Sequence, residues 1–460
     1  MPQVLMIGGS DAGISAALRI RELSPSSEVT VMLADDYPNF SICGLPFYLS
    51  GEVTDWRNLA HRTKDDILRE GIHLLANHRA TAINPDQRLV TAIQANGSQV
   101  QVPYDKLIIG TGAIPRAPQV EGLDLPGVYF LRWMGDSFRV NQHLVEQNPR
   151  SAVIIGGGYI GLEMADALTL RGMAVTLVEH SPTVLKTVHA SFGERVAEEL
   201  QSHGIIVATG ISVERIEQHN HQLRVVGSPG FSATGDLVLV AVGAVPATEL
   251  AQTAGVTIGD YGSIRVNRRM ETNVPHIYAA GDCVETWHRL LQKPVYLPLG
   301  TTAHKQGRIA GENAIGGDRE FDGTLGTQVV KVFELAIART GLREAEAEQA
   351  GFQSRTVEFE TWHHKVYYPG AHPLRFRVTG DVRTGQLLGA QIIGHYQGEV
   401  AKRVDIFAAA IHHGMTVEQM SDLDLSYTPP LSSPWDPVQM AAQAWVKQVR
   451  KDREPALVSI

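Results

Sequence analysis

Thiol redox chemistry needs a cysteine that a second sulfur or an electron carrier can reach, and this sequence of 460 residues holds two cysteines, Cys43 and Cys283. Cys43 stands in FSICGLPFYLSG, residues 40–51, with an aromatic residue behind it and Gly-Leu-Pro ahead. Two readings are open for such a residue: a small buried hydrophobe, or a thiolate nucleophile activated by its surroundings. Cys283 directly follows Gly281-Asp282, has no partner motif, and reads as packing. The two are too far apart in sequence to suggest a framework of structural disulfides.

Dinucleotide binding is the second chemistry that the residue spacing supports. The chain opens with VLMIGGSDAGISAALRIREL, an apolar strand that runs through Gly8, Gly9, Ser10, Ala12 and Gly13 into an Ala/Leu-rich helix. Glycines there let the backbone turn sharply and approach a pyrophosphate, whose charge then rests on free N–H groups at the helix N-terminus. Ser10 replaces the middle glycine of the G-x-G-x-x-G pattern. A second copy, AVIIGGGYIGLE, keeps Gly156, Gly158 and Gly161 in register and includes Tyr159 and Ile160. The following strand ends in Glu179, 18 residues after Gly161, near the spacing at which an acid accepts a ribose 2′-hydroxyl and repels a 2′-phosphate. NADH is therefore expected over NADPH, with His180 beside Glu179 leaving NADPH possible. In the first unit Leu33 and Ala34 occupy the acid's place, and Asp35 is the expected ribose acceptor.

The elements that must position these groups are strands and turns. YDKLIIGTGAIPR is a buried strand followed by a turn at Thr111 and Gly112, and TNVPHIYAAGDCVET is another, with Gly281 and Asp282 just past the strand end. Gly243 closes a Val-Gly pair and Thr301 precedes a helix-like segment; both join the expected cofactor-binding positions. Beyond residue 323, LGTQVVKVFELAIARTGL and TGQLLGAQIIG are strand-like and VAKRVDIFAAAIHHGM is an amphipathic helix.

Composition narrows the partners. A hydrophobic share of 43% with 19% charged residues describes a globular, soluble chain. A net charge of -9 without a long basic run argues against nucleic acid. No apolar run approaches the ~20 residues that cross a bilayer. The N-terminal apolar run is too short for a secretory signal, so a cytoplasmic protein is expected. No His/Cys cluster has metal-ligand spacing, and no metal is expected.

In their order (loop, TGAIP, loop, Val-Gly, Gly-Asp) these segments resemble the two-dinucleotide-binding flavoprotein disulfide reductases, over essentially the whole chain. The resemblance implies an α/β fold of two interleaved Rossmann-like dinucleotide-binding domains with a C-terminal α+β dimerisation domain. It places an FAD-binding domain at 1–115 and 244–322, an NAD-binding domain at 116–243, a dimer-interface domain at 323–450 and a tail at 451–460. It also implies an enzyme that uses FAD and NADH, as a homodimer with active sites shared between subunits. In such a dimer Asp282 would accept a ribityl hydroxyl.

One cysteine in place of the usual CxxxxC pair, followed by Gly-Leu-Pro, is similar to the single-cysteine branch of that family: coenzyme A disulfide reductase, NADH oxidase and NADH peroxidase. That similarity implies that Cys43 is the redox centre, its thiol lowered by a helix N-terminus and by the flavin. KVYYPGAHPLRFRV and DLSYTPPLSSPWDPVQMAA resemble two segments of coenzyme A disulfide reductase, which implies that Tyr427 and Tyr367 or Tyr368 reach the cysteine site of the other subunit. A phenol is neutral at pH 7 and can donate to a departing thiolate. The small disulfide or persulfide substrate is not named by these residues. Oxidase and peroxidase members carry a His where this chain has Asp11, which counts against an oxygen species as acceptor. A redox-sensing or electron-transfer flavoprotein that needs no thiol is a third reading. Ile42, Asn39 and Phe47 depart from the coenzyme A enzymes' Asn, Ser and Tyr. Arg19, Arg21, Lys402 and Arg403 are candidates for substrate phosphates, and His363, His364 and His372 for an anionic substrate or for solvent.

Overall fold

Three five-stranded sheets organise the chain, whose computed structural model describes residues 2–453. The first sheet is parallel throughout, in the order Ile277–Ala279, Lys106–Ile109, Gln3–Ile7, Glu28–Met32, Ile72–Leu75. Its central strands are apolar along their length because helices or loops cover both faces, the pattern of parallel sheets. The second sheet repeats the arrangement with Ile206–Thr209, Ala174–Glu179, Ser151–Ile155, Leu237–Val240 and Val128–Phe130. The chain therefore leaves the first sheet after Lys106–Ile109, builds the second, and returns at Ile277–Ala279. An antiparallel pair, Ala113–Pro115 with Ala244–Pro246, marks the two crossings.

The last sheet is antiparallel: Gln328–Val332, Leu335–Gly341, Leu387–His395, Pro373–Asp381, Ser354–Trp362. Helices Val400–His412 and Pro437–Arg453 cover one face, where Phe376, Phe407 and Trp445 are buried. Side chains of this size each contribute about 2 to 3 kcal/mol by leaving water. Its other face, through Val330, Val332, Leu335, Ile337 and Ile393, joins one apolar cluster with the second sheet and with Leu45 and Leu49, just beyond Cys43. One core thus holds the Cys43 segment against both later units.

The final helix runs through Arg453, so its last turn crosses the expected tail boundary at residue 450; residues 454–460 of that tail lie outside the described residues. Among the described residues no helix is long and apolar enough to cross a membrane.

Candidate active site

Each glycine loop joins a strand to a helix and is closed by backbone bonds. Gly8 N–H donates to the Met32 carbonyl at 2.8 Å, and Gly156 N–H to that of Val178 at 2.7 Å. A Cβ on Gly13 would stand 1.9 Å from the Gly8 oxygen, and one on Gly161 1.9 Å from the Gly156 oxygen, so both helices pack directly on their loops. Ser10 and Gly158 are the N-caps, neither with a side-chain capping bond, and nothing lies within 4 Å of a Cβ built on Gly158. Ala12 and Tyr159 with Ile160 lie in the first turns, whose N–H groups lack intrahelical partners. These residues fit a pyrophosphate at each loop.

The loops differ at the ribose position. Glu179 Oε2 accepts the Gly157 N–H at 2.6 Å and Oε1 accepts the Ser181 N–H at 2.7 Å. Across the first loop Gly9 meets the Leu33 side chain instead. Asp35 lies two residues farther on, accepting the Tyr37 N–H at 3.1 Å, and burial raises its carboxyl.

The remaining candidate positions line the junction of the two units. Thr111 Oγ1 donates to the Ala247 carbonyl at 2.6 Å, the Ala247 N–H to that of Gly112 at 3.0 Å, and the Arg116 N–H to that of Gly243 at 2.9 Å. Gly281 N–H donates to Gln306 at 2.9 Å, and Thr301 is exposed in the first turn of helix Gly300–Ala314. Asp282 Oδ2 accepts from Arg132 Nη2 at 2.5 Å, while the buried Nε of Arg132 has no partner. The sequence reading missed Arg132, which carries no motif signal: it lies in a strand-to-helix connection between the loops.

Cys43 sits in the short turn Ile42–Gly44 that opens helix Leu45–Ser50. Asn39 N–H donates to the Gly9 carbonyl at 2.7 Å, which fastens this segment to the first glycine loop. At the helix's far end the Leu49 carbonyl accepts from Arg171 Nε at 2.7 Å, and that arginine belongs to the second unit. Tyr37, Phe40, Trp56 and Phe138 form an aromatic wall beside it, with ring centroids 5.2 Å to 5.8 Å apart. Cys43 is exposed, whereas Cys283 is buried and its thiol donates to the Ala280 carbonyl at 3.4 Å.

The protein's own groups around Cys43 act against a lowered thiol, and the flavin's share of the expected lowering lies outside them. The side chain opens to solvent, yet enough protein surrounds it that desolvation raises the thiol, followed by Glu163 and Asp11, with Arg132 opposing and Asp282 adding. A helix of six residues has little dipole to set against these carboxylates. Burial and then Asp166 push Glu163 up to about 7. Asp11 is raised by burial and by Asp282, against His61 and His304. Glu163 is the second residue after Gly161 on helix Tyr159–Leu170, and sequence reading passed over it as part of the loop motif. On the same helix Asp166 accepts the Phe333 N–H at 2.9 Å, and Tyr159 donates to Gln328 at 2.6 Å, so both reach the last sheet.

The tyrosines meet on the C-terminal unit. Tyr427 and Tyr367 are exposed, at 44% and 73%. Partial burial and the adjacent Tyr367 hydroxyl raise the Tyr427 phenol. Tyr368 is also exposed, and its carbonyl is taken by His364 Nε2 at 3.2 Å.

The proposed phosphate receivers are engaged elsewhere. Arg403 is buried, donates to Asp436 at 3.2 Å and to the carbonyls of Gly398 and His363 at 3.2 Å and 2.8 Å. Lys402 pairs with Asp405, Arg19 with Glu312 and Glu22, and Arg21 donates to the carbonyls of Pro25, Ser27 and Glu70. His363 and His364 are buried as well, so neither faces solvent.

Residues 2–307 match the family described as pyridine nucleotide-disulphide oxidoreductase, and residues 327–437 match its dimerisation domain. An NAD(P)H sulfur oxidoreductase (CoA-dependent) of Pyrococcus furiosus is 35% identical over 442 residues, covering 96% of this chain and 98% of that protein. An NADH oxidase of Methanocaldococcus jannaschii is 30% identical over 450 residues, 97% of this chain and 99% of that protein. The reduced CoADR-RHD of Bacillus anthracis superimposes with a TM-score of 0.94 at 32% identity, covering 98% of this chain and 81% of that one.

Proposed function

The chain belongs to the pyridine nucleotide-disulphide oxidoreductase family, whose members depend on FAD and NAD(P)H, and on that premise we propose that it reduces a small disulfide or persulfide with NADH through Cys43. The observation that carries this reading is the placement of the one exposed thiol between the two glycine-loop units, with Glu163, Asp11 and Arg132 around it. When bound, FAD takes a hydride from NADH and supplies the electron pair that a disulfide needs.

The protein's own residues do the rest. The Cys43 thiolate attacks one sulfur of the substrate disulfide; a Cys43–substrate disulfide forms, and the other sulfur leaves as a thiolate. Tyr427 of the partner subunit, with Tyr367 beside it, donates a hydrogen bond or a proton to that leaving sulfur. Two electrons from NADH then cleave the mixed disulfide, releasing the second thiol and restoring Cys43. The balance is one disulfide, one NADH and one proton giving two thiols and NAD. Glu163, pushed up to about 7, can store the proton that the thiol gives up. Exposure of the tyrosines on the unit that matches the dimerisation domain supports a shared site. Glu179 at the rim of the second loop supports NADH as the donor.

Substrate recognition has less support from charge. Arg19, Arg21 and Arg403 spend donors on protein partners, whereas Lys402, in an exposed pair with Asp405, stays within reach of a substrate phosphate. Turnover with NADH and a set of disulfides and persulfides by the parent enzyme and Cys43→Ser tests the reading; undiminished turnover by the variant refutes it.

A specific observation also favours a second reading, an NADH oxidase or peroxidase. An NADH oxidase is among the relatives, and burial raises the carboxyl of Asp11, one of the charges that act on Cys43. Peroxide consumption that requires both Cys43 and Asp11 and exceeds every disulfide rate would establish it.

A further inference from the structure

His363 and His364 follow strand Ser354–Trp362 and lead into the turn that carries Tyr367. These two residues are 6% and 5% exposed, against 73% for Tyr367. The hydrogen bonds of the pair run in one direction. The Tyr368 carbonyl can only accept, so His364 Nε2, 3.2 Å away, carries a proton. A neutral His364 then accepts at Nδ1, from His363 Nε2 at 2.6 Å. A neutral His363 accepts at its own Nδ1, where the His372 N–H donates at 3.0 Å. The chain thus starts on a backbone donor and ends on a backbone acceptor, and uses all four ring nitrogens.

Its surroundings favour a neutral His363. Arg403 donates to the His363 carbonyl at 2.8 Å and brings a permanent positive charge beside the ring, although Asp436 pairs with it. Burial lowers the His363 pKa most; His364, Arg403 and His372 act the same way, and the His372 carbonyl, 3.1 Å from Nδ1, opposes. The turn itself has few other restraints. Tyr368 N–H donates to the Lys365 carbonyl at 2.8 Å, with Val366 and Tyr367 between them, and the Lys365 ammonium lies 4.4 Å from the Trp435 ring.

We infer that His363 and His364 are positioning residues: as a hydrogen-bonded pair they hold the turn through the Tyr368 carbonyl, so that Tyr367 stands beside Tyr427 at the disulfide site. This rests on the proposed role of those tyrosines. The test uses the full-length, FAD-loaded dimer, reduced with NADH and then mixed anaerobically with coenzyme A disulfide. His364→Phe keeps ring volume but removes both hydrogen bonds, and is expected to slow the disulfide step about ten-fold. Reduction by NADH keeps its parent rate. His364→Gln, which retains a donor for the Tyr368 carbonyl, recovers most of the loss. A double variant with Tyr367→Phe is no slower than Tyr367→Phe alone, because both changes remove one function.

Parent disulfide kinetics in His364→Phe, or multiplied defects in the double variant, would overturn the inference while Tyr367→Phe remained slow. A Tyr367→Phe enzyme at the parent rate would remove the tyrosine's role and the inference with it. Nitrogen NMR of histidine-labelled parent enzyme gives a check that needs no folded variant. Both rings should be neutral and protonated at Nε2 at neutral pH, and an Nδ1-protonated His364 would contradict the chain.

Discussion

The Glu179 carboxylate accepts the Gly157 N–H at 2.6 Å, while the same place across the first loop, opposite Gly9, is filled by Leu33. The two glycine loops share a fold and differ in the charge at their rim. At this place the second loop has a carboxylate and the first an apolar side chain.

Glu179→Ala should therefore narrow the preference for NADH over NADPH by about ten-fold or more, since one unit charge facing a phosphate at short range is worth over a kcal/mol. Comparing kcat/KM for the two donors checks this. An unchanged ratio would move the discrimination to His180, whose ring is hydrogen-bonded to Ser212 at 3.0 Å.

Glu163 gives a pH dependence with a definite sign. Its folded value of about 7 exceeds the ordinary 4.5, so between these the folded chain keeps a proton that the unfolded chain has lost. Stability then falls as pH rises through that window, by a total on the order of 3 kcal/mol. Glu163→Gln, which cannot ionise, should melt higher than the parent at about pH 8 and the same at about pH 4. The same change removes a carboxylate that raises the Cys43 thiol, so the pH at which iodoacetamide alkylates Cys43 should fall. Parallel melting curves of parent and variant across the range would count against a buried Glu163.

Arg403 is predicted to be structural. It gathers the carbonyls of Gly398, His363 and Leu431 and the carboxylate of Asp436, and so ties the Tyr367 turn to the loop after Tyr427. Asp436→Asn leaves that guanidinium buried without its counter-charge and should cost about 3 to 5 kcal/mol of stability. Denaturant unfolding measures it; a loss below about 1 kcal/mol would show a pair that water already reaches.

The fold was legible in the sequence wherever chain-local patterns carried it. Two strand-glycine-helix units and the apolar runs of parallel strands need only neighbouring residues to be recognised, as does the single cysteine before Gly-Leu-Pro. What escaped depends on long-range packing. Arg132 meets Asp282 across 150 residues, Glu163 owes its shift to burial, and Arg403 looks like an exposed helix residue until Asp436 is placed beside it. The carboxylates of Glu163 and Asp11 that raise the Cys43 thiol escaped in the same way, because they come from other segments.

Tyr427 tests the sharing of sites. Tyr427→Phe should slow the disulfide step about ten-fold and leave reduction by NADH untouched, as expected for one hydrogen bond to a charged sulfur. In heterodimers that pair Tyr427→Phe with Cys43→Ser subunits, one site carries both defects and the other neither, so half the parent activity remains. Loss of both sites would place the tyrosine in the same subunit as its cysteine.

The central claim is that Cys43 exchanges electrons with the substrate's sulfur. Its most direct test is the disulfide half-reaction of Cys43→Ser, reduced anaerobically with NADH and followed on mixing with coenzyme A disulfide. The account predicts normal reduction by NADH and no measurable reoxidation by the disulfide. Reoxidation of the variant at the parent rate would contradict it.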